Sequence, residues 1–88
     1  MFLAVLHVKD DFEILFITTD GIAAAREVGS LYDRTLQEIP PDRVISSQLS
    51  LGWAEIVTPE GMEHWVAVPF HGTKENLKTF VNQLKGRL

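Results

Sequence analysis

The sequence predicts an α+β fold: two β-hairpins, each followed by a helix in the order ββα–ββα, forming an antiparallel sheet of four to five strands with two helices on one face. Three observations predict it. Two stretches rich in β-formers are each broken by turn residues, at Lys9-Asp10-Asp11 and at Thr58-Pro59-Glu60-Gly61. After each comes a stretch whose apolar residues recur at three-and-four spacing, the first of them closed by Pro40-Pro41. The third is the matching order of the two halves, 1–39 and 42–88, which reads as a pseudo-repeat inside a single domain spanning 1–88. At an offset of 50, Leu6 falls on Ile56 and Phe12-Glu13 on Met62-Glu63.

In the first hairpin, Phe2 to Val8 and Phe12 to Thr18 are apolar on both strand faces, so the sheet is expected to be covered on both sides, by helices on one and by something else, such as a second subunit, on the other. Thr19 or Asp20 caps the first helix, and Ile22, Ala25, Gly29, Tyr32, Leu36 and Ile39 are its expected inward positions. Ala23, Ala24, Ala25 and Gly29 thin one side of it, which suits tight packing on the sheet or a small-residue seam between copies. Residues 42–50 read either as a short helical turn leading into a strand or as a long strand bent at Gly52. The second helix starts at a Thr73 cap and carries an apolar stripe of Leu77, Phe80, Val81, Leu84 and Leu88, backed by Lys74, Lys78, Asn82 and Lys85.

The turn of the second hairpin decides which side chains share a face. Read as a three-residue loop closed by a left-handed Gly61, it sets Thr58 opposite Met62. Gly52, Ala54, Ile56, Met62, Val66 and Val68 then line an apolar face, with His64 among them. Trp53, Glu55, Val57, Glu63, Trp65 and Ala67 line the other. Trp53 and Trp65 become near-diagonal neighbours flanked by carboxylates, which is the composition of a partly exposed contact surface.

Charge and composition exclude several functions. The chain is 88 residues long, 45% hydrophobic and 23% charged, within the range of ordinary globular domains. Without cysteine it has no disulfide, thiol nucleophile or thiolate metal site. Met1 to Val8 is apolar but lacks a basic start and meets Lys9-Asp10-Asp11 too early for a secretion signal, and no apolar run reaches the roughly 18 residues of a membrane span. A cytoplasmic location away from membranes is the default expectation. Residues 1–72 hold eleven acids against four bases, a charge of −7, while residues 73–88 carry +3, so nucleic acid is an unsuitable partner: the cations and the aromatic platforms are on different elements.

No catalytic signature is present. The spacing of His7, His64 and His71 is not that of a metal site, Asp10-Asp11 suits a solvated turn, and Ser46, Ser47 and Ser50 lie in no nucleophile motif, so no metal or cofactor is implied. His64, on an apolar face, is expected to resist protonation. The expected function is a small non-enzymatic protein-binding or regulatory module, self-associating as a homodimer through an exposed sheet face that presents Leu51, Trp53, Glu55, Val57, Glu63 and Trp65. The alternative is a small-ligand-binding protein or enzyme with its site near His64, Glu55 and Glu63.

Overall fold

A computed structural model describes residues 2–9 and 12–70, together with positions 76 and 79. It shows an α+β fold with the order β1 (Phe2–Val8), β2 (Phe12–Thr18), α1 (Gly21–Glu38), a 3₁₀ turn (Pro41–Arg43), β3 (Ser46–Ser50), β4 (Trp53–Thr58) and β5 (Gly61–Phe70). The five strands form one antiparallel sheet in the spatial order β2-β1-β5-β4-β3. One helix is present among the described residues. The expected second helix from Thr73 lies outside them, as does His71. The second half of the described chain is a three-stranded meander rather than a hairpin, so the ββα repeat is not reproduced there.

α1 forms where its cap and its proline stop dictate. The Asp20 carboxylate accepts a hydrogen bond from the Ile22 amide at 2.9 Å, and the Thr18 hydroxyl accepts one from the Asp20 amide at 3.0 Å. At the other end Ile39 leaves helical geometry just before Pro40-Pro41. Ala24, Val28 and Tyr32 are the fully buried positions of α1, with Leu31, Leu36 and Ile39 packed beside them. Ile22, Ala25 and Gly29 lie on the adjoining flank, so the inward stripe is rotated from the expected one in the first half of the helix. The reason is lateral: α1 packs over β1, β2, β4 and β5, and that flank looks past β4 toward β3.

The face beneath α1 is built from alternate residues of four strands: Leu3 and Val5, Phe16, Ala54 and Ile56, Trp65 and Ala67. The face turned away from α1 carries Ala4, Leu6, Trp53, Glu55, Val57, His64, Val66 and Val68. Ala4 and Leu6 are themselves fully buried. At the β2 edge the pairing with β1 shifts between Val5 and Leu6, which leaves Leu15 as the extra residue of a bulge.

The second hairpin differs from its expected register by one residue. Thr58 pairs with Gly61, not Met62, and the loop between them is the two residues Pro59-Glu60. Gly61 pairs with Thr58 at the end of the ladder with φ 141°, a positive value that residues with a side chain rarely adopt. The Thr58 hydroxyl closes the turn by donating to the Gly61 carbonyl at 3.2 Å. A slip of one residue in a period-two element exchanges the faces of one strand against the other. Trp53 and Trp65 therefore point to opposite sides of the sheet, which corrects the shared tryptophan face. Residues 42–50 take the first of their two expected forms, a short helical turn and then a strand. Gly52, at φ 76°, sits in the tight turn to β4.

Candidate functional site

The six residues expected to form one contact surface are distributed over three places. Trp65 is 2% exposed in the core under α1, its indole stacked on the His7 imidazole with centroids 5.2 Å apart and planes at 11°. Glu63, on the same face, accepts a hydrogen bond from His7, with Oε1 3.2 Å from Nε2. Trp53, Glu55 and Val57 are half-buried on the opposite face. There Trp53 meets His64 edge-on at 5.4 Å and 66°, and Glu55 is the direct cross-strand neighbour of His64. Leu51 alone is freely exposed, at 92%, in the β3–β4 turn.

The trio His64, Glu55 and Glu63 is not brought together either, since Glu63 points to the helix side and the other two away from it. His64 does sit in an unusual environment. Its Nε2 is buried without a hydrogen-bond partner, and burial lowers its pKa from the ordinary 6.5 while the nearby Glu55 carboxylate acts weakly in the opposite direction. Among the described residues no group of three or more histidine, aspartate or glutamate side chains could hold a metal ion, and no helix is long and apolar enough to cross a membrane.

The feature that stands out lies at the β3 edge. Among the described residues β3 has one strand neighbour, β4, and all five of its residues are exposed. Beside it, between β3 and the open flank of α1, runs a mainly apolar groove of about 860 Å³ lined by Ile22, Ala25, Gly29, Leu49 and Leu51, with the charged Asp20 and Arg26 of the helix start also in its lining. Of the six large apolar side chains exposed among the described residues, four lie at β3 or in this groove: Ile22 at 65%, Leu49 at 49% and Leu51 at 92% line the groove, and Ile45 at 65% precedes the far end of β3. Leu49, on the helix side of β3, and Leu51, in the turn that follows, both line this groove, so they form one patch with Ile22 rather than a scatter.

Gly29 is informative. A Cβ added there would meet nothing within 4 Å among the described residues, so Gly29, unlike the buried Ala24, is not required for close packing against the sheet. It faces the open groove instead. Edge strands are normally protected by charge, proline or a bulge. The β2 edge has its bulge at Leu15 and an exposed Glu13, whereas residues 44–54 contain no charged residue and no proline. The sequence signal for this site was therefore the uncharged run with Ile45, Leu49 and Leu51 at even spacing, not the tryptophans.

Comparisons of the chain with protein-family models, with curated proteins and with solved structures found no match.

Proposed function

We propose that this chain is a small protein-binding module without catalytic activity, and that it docks an extended, apolar segment against β3 and into the groove beside α1. The observation that carries this reading is the concentration of four exposed large apolar side chains along one unprotected strand and its neighbouring groove. Strand addition at such an edge supplies main-chain hydrogen bonds for affinity, and alternate side chains of the incoming strand reach the groove and supply selectivity. The tryptophans take a different part from the one their number suggested: Trp65 holds the core, and Trp53, paired with Ser50 across the β3–β4 ladder, is placed to report on events at the edge.

The reading is tested with a synthetic peptide of alternating leucine and serine, added at a protein concentration at which the chain is monomeric by mass. Binding is followed by Trp53 emission and by amide hydrogen exchange at Ser46 to Ser50. Slowed exchange at these amides, lost in the variant Leu49→Asp/Leu51→Asp, supports the proposal. A peptide that leaves the exchange of these amides unchanged, or that binds the variant equally well, overturns it.

A further inference from the structure

We infer that the segment β3 receives is β3 of a second copy, in antiparallel register centred on Gln48, giving a two-fold dimer with a continuous ten-stranded sheet. This rests on the reading of β3 as a docking edge and adds the partner's identity.

Three observations carry it. The first is the pattern of the strand about Gln48. In an antiparallel pair centred there, Ile45 lies opposite Leu51, Ser46 opposite Ser50, and Ser47 opposite Leu49 of the other copy. Ile45 and Leu51, which are 65% and 92% exposed and flank β3 at its two ends, thereby meet twice along the seam, and the polar residues Ser46, Gln48 and Ser50 meet one another on the face turned away from α1.

The second is the absence of charge. Residues 44–54 are neutral in a chain that is 23% charged, so two copies can approach along this edge without like charges facing each other. An interface that meets itself cannot use charge complementarity from strand to identical strand at its centre, and here none is present to be opposed.

The third is the open flank of α1. A two-fold axis that pairs antiparallel edges stands perpendicular to the sheet, so α1 of both copies lies on the same side. The grooves beside the two helices then join into one trough floored by Leu49 and Leu51 of each copy. Gly29 and Ala25 line its walls, and a Cβ added at Gly29 would meet nothing within 4 Å among the described residues. The other end of the sheet offers no equivalent, because the bulge at Leu15 interrupts the β2 edge.

The absence of cysteine makes a direct test possible. Residue 48 faces its own copy only in the centred register, at the separation of a direct cross-strand pair, which a disulfide can span with small adjustment. The full chain carrying Gln48→Cys is expected to form a covalent dimer under mild oxidation. Ser46→Cys is expected to remain uncross-linked, since its two copies would be four residues apart along the strands, roughly 13 Å. Mixing Ser46→Cys with Ser50→Cys restores cross-linking. Sedimentation of the unmodified chain should show a dimer that dissociates on dilution, and Leu51→Asp should raise its dissociation constant at least a hundredfold. Cross-linking of Ser46→Cys alone overturns the register. A chain that stays monomeric at every concentration overturns the dimer. If that monomer still binds the leucine–serine peptide, only the partner assignment fails, whereas a monomer that ignores the peptide removes the docking edge as well.

Discussion

Truncating Leu51 to alanine separates association from folding more cleanly than any other change in this chain. Leu51 is 92% exposed, so its loss leaves the isolated fold within about 0.5 kcal/mol of its original stability. In the proposed dimer the same side chain would lie against Ile45 of the other copy. Leu51→Ala removes three carbon atoms, and at about 0.8 kcal/mol for each buried methylene-sized group the loss is about 2.4 kcal/mol per copy. The two-fold doubles this to about 5 kcal/mol, and at about 1.4 kcal/mol per factor of ten the dissociation constant rises by about three orders of magnitude. Incomplete burial reduces the effect but not its direction. Sedimentation velocity over a dilution series measures the constant, with urea unfolding at dilute protein as the control for the fold. An unchanged dissociation constant at unchanged stability would refute the placement of Leu51 in the seam. A variant that unfolds would refute the assignment of its exposure.

Four further outcomes follow from the core and from the helix. Trp65→Ala should cost about 3–5 kcal/mol, a large part of the roughly 5–15 kcal/mol that stabilises a domain, and so should unfold the chain rather than merely dissociate it; equilibrium urea unfolding measures this. Gly29→Ala should raise the stability of the monomer by about 0.5–1 kcal/mol, because the added methyl meets nothing within 4 Å, while weakening the dimer whose trough it narrows. Thermal melts at low concentration and sedimentation at high concentration read the two effects separately. Asp20→Ala removes the cap on Ile22 and should cost about 1 kcal/mol in urea unfolding. His64 binds its proton less readily in the folded chain than in the unfolded one, so its contribution to stability is complete above about pH 6.5 and declines as the pH falls through that value toward the lower folded pKa. His64→Gln should flatten this part of the stability profile, and Glu55→Gln, by removing the opposing carboxylate, should deepen the acid loss.

Much of the fold was legible because it rests on local chemistry. The strands 2–8 and 12–18, a helix cap at Thr19 or Asp20, the stop at Pro40-Pro41 and the position, though not the loop length, of the turn near 58–61 are each set by residues within a few positions of one another. The candidate site was not legible in this way. Whether Trp53 and Trp65 share a face depends on one residue of register at Gly61, and glycine accepts both the left-handed conformation that closes a three-residue loop and the φ of 141° found at the end of the two-residue loop. Likewise Ile22, Ala25 and Gly29 satisfy helical spacing as well as Ala24, Val28 and Tyr32 do. Spacing fixes the existence of an apolar face, but not how far the helix is turned about its axis.

By itself the sequence determined an antiparallel α+β domain with a capped helix and an uncharged stretch at 44–54, since these follow from side-chain chemistry and short-range sterics. Only the tertiary structure decided that β3 is an edge, that α1 stops short of covering it, and that Trp65 is enclosed while Leu51 is not. Those outcomes depend on which strands become neighbours, and β1 joins β5 across more than fifty residues of chain. No local preference encodes a pairing of that range; it is selected by the burial that the whole sheet and helix achieve together.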